Sequence, residues 1–229
     1  MKKTIIFLCG LFMAVCASAQ FMRTEELEKY AKERYGDKWI DAAASLGGTL
    51  SLDKNNSLTY VQVIEAPGKS KESLYLLLNY WYTASFNDAN SVIKLNDKEL
   101  GCIIGQGYME NIAEHSAGLN AYNVSIRPII KTDIKEGRVR VTYTVQNYDV
   151  LRVAGGGLTG RLLSSDPRTM TSYDEKWPLE QCYPFVEKDK HKKTSSKALI
   201  MTHAYSNVII DKIEEAIKHG VVGNEDEDW

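Results

Sequence analysis

Cysteine is scarce in this chain: 229 residues carry four, and Cys9 and Cys16 both fall within the first twenty. The other two, Cys102 and Cys182, exclude a disulfide-dense scaffold and leave two readings, one bridge or two separate buried thiols. The four histidines (His115, His191, His203 and His219) show no HxH or HxxxH spacing, and the cysteines form no CxxC, so no metal site is expected. A Gly-x-Ser-x-Gly elbow is missing, which removes the short signature of a serine hydrolase. Positive charge in excess is lacking as well. With 28 Lys and Arg against 30 Asp and Glu, the chain has no electrostatic footprint for nucleic acid.

What the chain does have begins at its first residues. Lys2-Lys3, an apolar run from Ile5 to Val15 and the small-x-small tripeptide Ala17-Ser18-Ala19 form the pattern of a secretory signal peptide, residues 1–19, cut after Ala19. The run is too short for a permanent membrane span, so no transmembrane segment is expected in the mature form. Bulky Val15 before Cys16 disfavours lipid attachment there. Export to the periplasm or the outer-membrane region follows, and losing Lys2 and Lys3 leaves 26 basic residues against 30 acidic ones.

Helical spacing marks residues 20–48 as an N-terminal appendage: Leu27, Tyr30 and Ala31 share a face, as do Trp39, Ala42 and Ala43, with a break at Gly36-Asp37. Residues 49–220 read as one α+β domain. Thr49 to Leu52 and Leu58 to Glu65 are expected to form a hairpin around Asp53-Lys54-Asn55-Asn56. Ser70 caps a helix to about Phe86 with Leu74, Leu77, Leu78 and Trp81 on its apolar face. Four strands follow, over Ser91 to Leu95, Gly101 to Ile112, Tyr122 to Ile134 and Arg138 to Val153. In the third, even positions are apolar and odd ones polar; in the fourth the order is odd until Gln146 to Tyr148, where the phase slips and a bulge is expected. Pro128 marks a bulge or an edge. Residues 154–193 form an excursion with a short helix, a second long helix spans residues 195–219 with Met201, Tyr205, Ile209 and Ile213 on one stripe, and 221–229 is an acidic tail.

Gly155-x-Gly157-x-x-Gly160 matches a dinucleotide fingerprint, but the strand before it alternates and Arg161 to Pro167 are too few for the required helix, so no cofactor is expected. Arg161 and Arg168 are candidates to hold an anion in that loop. Tyr75, Tyr80, Trp81 and Tyr82 exceed what one helical face buries, making Tyr75 and Tyr80 either boundary residues or partner contacts.

Gly68-Lys69-Ser70-Lys71-Glu72-Ser73-Leu74-Tyr75, then Trp81 and Phe86, then Val92-Ile93-Lys94 and Gly101-Cys102-Ile103-Ile104-Gly105-Gln106-Gly107 resemble a family of secreted Gram-negative envelope proteins, domain of unknown function 4468. The resemblance covers roughly Leu50 to Val153 and implies a TBP-like fold: a curved antiparallel sheet, strand-helix-four strands-helix, with helices packed on one face. It implies no activity. The leading expectation is a non-enzymatic interaction module for an envelope protein, glycan or lipid; the alternative is a small exported hydrolase using the 155–168 loop with His115 or His203. Self-association through sheet edges is the third expectation.

Overall fold

The computed structural model describes residues 21–86, 92–155, 170–182 and 192–220. Residues 1–20 with Cys9 and Cys16, most of the glycine-rich loop with Arg161 and Arg168, His191 and the acidic tail lie outside the described residues.

Two helices open the described chain, α1 (Thr24–Tyr35) and α2 (Trp39–Gly47). They are separated at Gly36, whose φ of 83° lies in the left-handed region. Leu27, Ala31 and Ala43 are fully enclosed, so this segment shares the main core. Strand β1 (Leu58–Glu65) follows, then α3 (Lys71–Ser85). The Ser70 hydroxyl accepts the Ser73 N–H and caps α3 as the sequence predicts. Leu74, Leu78, Trp81 and Tyr82 face inward.

The expected hairpin before β1 does not form, because Thr49 to Leu52 is not a strand. Instead the Asp53 carboxylate accepts the N–H groups of Asn55 (2.8 Å) and Ser57 (3.0 Å) and the Thr59 hydroxyl (2.8 Å), turning the chain sharply into β1.

Strands β2 (Ile93–Asp97), β3 (Cys102–Gln106), β4 (Met109–Ala117), β5 (Asn120–Ile126), β6 (Ile129–Lys135), β7 (Arg138–Val145), β8 (Asn147–Ala154) and β9 (Thr171–Pro178) make two antiparallel sheets with α1 to α3 and two later helices. The first is ordered β1-β7-β6-β3-β2 and the second β4-β5-β8-β9. They are halves of one bent surface. Each of the three long strand candidates in the sequence runs through both sheets and breaks where it bends, at Gly107-Tyr108, at Arg127-Pro128 and at Gln146. Across the last two breaks the pairing shifts by one residue: Ile129 pairs Thr144, whereas Ser125 pairs Asp149. That extra residue is the predicted phase slip. It keeps Val139, Val141, Tyr143 and Val145 buried on odd positions and Tyr148 and Val150 buried on even ones.

After β9 come α4 (Leu179–Cys182) and α5 (Lys192–His219). The excursion at 154–193 thus contains a strand that alternation did not reveal, since β9 is mostly exposed. Helix α5 starts at Lys192, ahead of Ser195, and stops at Gly220, where φ is 85°. It packs on α1, α2 and α3 and on β1, β4, β5 and β7, which buries Met201, Tyr205, Ile209, Ile213 and Ile217. The architecture is therefore α+β with helices on one face of the bent sheets and, among the described residues, none on the other.

The motif around Gly68 has a packing role. The Ala66 N–H donates to the Gly137 carbonyl (2.8 Å), the Gly137 N–H to the Lys69 carbonyl (3.1 Å) and the Lys71 N–H to Glu136 Oε2 (3.0 Å). These bonds clamp the β6–β7 turn to the start of α3.

Candidate functional site

The open face of the four-stranded sheet is shaped by an irregularity in β4. Met109 pairs Ile126 but Ala113 pairs Val124, so β4 carries extra residues, and Asn111 within them has φ 56°. Asparagine tolerates this left-handed geometry better than most side chains. The Asn111 N–H, taken out of the ladder, donates to Ser125 Oγ at 3.3 Å. Beside the bulge lies a groove of about 590 Å³. Its floor comprises Asn123 and Ser125 from β5, Asp149 and Leu151 from β8, and Asp174 and Lys176 from β9; Tyr108, Glu110 and Arg127 form its rim.

Much of the charge here is committed. Arg127 Nε donates to Asp149 Oδ2 at 2.9 Å, and its guanidinium lies 4.6 Å from the centre of the Tyr108 ring. Asn147 Nδ2 donates to the other oxygen of Asp149 at 3.1 Å. Arg152 Nε donates to Glu175 Oε1 at 2.5 Å, and Trp177 Nε1 donates to Oε2 at 3.3 Å. Asn123 is different: its carboxamide oxygen is shut off from solvent and has no hydrogen-bond partner among the described residues. A secluded, unanswered amide is costly unless something binds it.

A second hollow, of about 240 Å³, lies on the open face of the five-stranded sheet between Val63, Asp133, Lys135, Arg138 and Arg140. Burial opposes the Asp133 charge, but Lys131 and Arg140, both 2.8 Å away, outweigh it and hold the carboxyl below its ordinary range. Cys102 pairs opposite Asp133 in this sheet, and burial pushes its thiol up, away from the reactive thiolate.

The residues singled out in the sequence do not converge. Tyr75 is half-buried and donates its hydroxyl to Asn96 Oδ1 at 2.5 Å, tying α3 to β2. Tyr80 is 48 % exposed on α3 and is not among the residues that line the groove beside the β4 bulge or the second hollow. Arg161 and Arg168 lie outside the described residues. Cys102 and Cys182 are both buried and unbridged, which selects the reading as separate thiols. His203 is enclosed against the rings of Tyr35 and Tyr60, 5.5 and 5.3 Å away, and neither it nor His115 hydrogen-bonds a carboxylate among the described residues. Burial, with Arg34 adding to it, holds the His203 pKa below its ordinary value. Among the described residues no three His, Cys, Asp or Glu side chains gather as a metal would need, and no helix is long and apolar enough to cross a membrane. The groove residues were visible only as the wet positions of β5 and β8; Asn123 and Ser125 alternate with buried Val124 and Ile126.

The bent antiparallel surface, with helices on one side, is the part of the chain for which a family match exists. Residues 60–149 match the family described as a domain of unknown function (DUF4468) with TBP-like fold. The matched segment runs from β1 to the first residues of β8 and holds Asn123, Ser125 and Asp149 of the groove floor, but not Leu151 or β9. Its limits fall inside the span of the resemblance read from the sequence. A TBP-like protein from Parabacteroides distasonis is 12 % identical, with 73 % of this chain and 96 % of that one covered at a TM-score of 0.46. A DUF4468 family protein from Bacteroides ovatus is also 12 % identical, with 73 % and 90 % covered at a TM-score of 0.40. No curated protein matches the chain.

Proposed function

We propose that this protein is exported to the cell envelope and acts there as a non-enzymatic binding module, with the groove beside the β4 bulge as its contact surface. The observation that carries the reading is Asn123, a groove-lining side chain whose carboxamide oxygen has no partner among the described residues, beside the Arg127–Asp149 ion pair. An aspartate held in an ion pair, as Asp149 is by Arg127, suits reversible recognition better than proton transfer, which needs a group free to change its charge. Support for export comes from Lys2-Lys3, the apolar run and Ala17-Ser18-Ala19. The hydrolase alternative draws no support from His203, which packs against the rings of Tyr35 and Tyr60 and hydrogen-bonds no carboxylate among the described residues.

Fractionation of cells expressing the full chain tests the first half: an envelope-associated product whose mass begins at Gln20 is expected, and an uncut cytoplasmic product overturns export. For the second half, the purified chain from Gln20 is mixed with washed envelope fragments. Sedimentation with the fragments is expected for the wild type and not for Asn123→Leu, which keeps the side chain's size but removes its hydrogen-bonding groups. Equal sedimentation of the two removes the groove from the reading.

A further inference from the structure

We propose that the groove beside the β4 bulge binds a neutral, polyhydroxylated ligand, a short glycan segment; this rests on the binding-module reading and names the ligand class of that same site. At about 590 Å³ the groove falls within the size range of small-molecule sites, roughly 300–1,000 Å³. Its floor is the face of a sheet, not an edge. Strands β5 and β8 are each paired on both sides, so their backbone groups are used in the ladder and an extended peptide cannot add as a further strand. A ligand meets side chains only.

Those side chains alternate in kind. Asp174 offers acceptors, Lys176 a donor, and Asn123 and Ser125 groups that do both. With Asp149 neutralised by Arg127 at 2.9 Å, Asp174 and Glu110 stand against Lys176 alone, so an anionic ligand would meet net negative charge. An acyl chain would find little to cover it, since Leu151 is the exposed aliphatic side chain of the floor. Sugar hydroxyls each donate and accept, and a sugar's C–H face suits a lone leucine beside an amide. The Asn123 carboxamide lines the groove, and by turning its closed-off oxygen toward such a hydroxyl it gains the partner it lacks.

Saturation-transfer NMR on the chain from Gln20 tests this with maltotriose, cellotriose, mannotriose and N,N′,N″-triacetylchitotriose, set against trigalacturonate, trialanine and phosphatidylglycerol vesicles. At least one neutral trisaccharide is expected to show saturable transfer. Asn123→Leu should weaken it about tenfold, the equivalent of two neutral hydrogen bonds. Asp174→Ala, at an exposed position that leaves the fold intact, should weaken it several-fold, and Arg138→Ala, outside the groove, should not change it. Transfer to trigalacturonate, trialanine or the vesicles alone overturns the neutral-glycan assignment. So does neutral-sugar binding that survives both groove substitutions. Envelope sedimentation that depends on Asn123 without any trisaccharide binding defeats this assignment but leaves the binding-module reading standing; groove-independent sedimentation defeats both.

Discussion

Single residues fix how closely the layers approach. Gly105 on β3 lies under the ring of Tyr82, and a Cβ there would stand 2.7 Å from Tyr82 Cε1. The ring cannot retreat freely, because it is fully buried and its hydroxyl donates to the Ile130 carbonyl at 3.1 Å. Gly105→Ala is therefore expected to cost about 1–3 kcal/mol, read as a lower urea midpoint at unchanged slope. The opposite sign is expected at Tyr143. Its ring packs against Tyr60 and Tyr205, but its hydroxyl is buried without a partner, and burial raises its pKa well above the usual phenol range. Tyr143→Phe removes that unmet polar group and keeps the ring, so stability should hold or rise by up to about 1 kcal/mol; a loss larger than that would mean the hydroxyl is answered in solution.

Elements show which features of the chain could be read in advance. Alternation located the dry faces of the long strands, and Pro128 and Gln146 marked where they bend, because a strand that must keep one face buried has to reset its phase at a bulge. Which halves pair to make two sheets was not legible: pairing is a long-range choice that alternation leaves open. Strand β9 escaped for a different reason. Thr171, Ser172, Tyr173 and Asp174 are all exposed, so no apolar rhythm announces it and β8 supplies the template. The groove was hidden likewise, since Asn123, Asp149 and Lys176 are unremarkable wet positions until β5, β8 and β9 lie side by side. The N-terminal helices are more integral than an appendage. Lys197 Nζ on α5 donates to Glu28 at 2.8 Å and sits over the Trp39 ring, and Leu27 is fully enclosed. Leu27→Ala should cost about 2–5 kcal/mol in a thermal or chemical melt of the whole protein; a loss under 1 kcal/mol would return α1 to the status of a loose attachment.

For the whole molecule, acid works against the fold from two directions. Because burial lowers the His203 pKa, the unfolded chain takes up a proton there first; its contribution is complete above about pH 6.5 and is lost as the pH falls from there through the folded value. Glu28, Asp53 and Asp133 are each opposed by burial yet held below their ordinary pKa by hydrogen bonds from Lys197 and Lys32, from Thr59, Ser57 and Asn55, and from Lys131 and Arg140. Their contribution is present above the unfolded carboxylate values and disappears as the pH falls through the folded ones. Unfolding midpoints should thus be highest above about pH 6.5 and decline in two stages, and His203→Gln should flatten the first stage while leaving the second. The bent ribbon of β5–β6 and β7–β8 also has a consequence in time. Lys135 and Arg138 pair directly across the Glu136-Gly137 turn, so the chain can close this ribbon with a very short loop and zip outward through the bend, postponing the distant pairing of β1 with β7 and of β3 with β6. A molecule whose register is decided at one tight turn has a starting point for folding, and substitutions near Gly137 should slow its formation more than they hasten its loss.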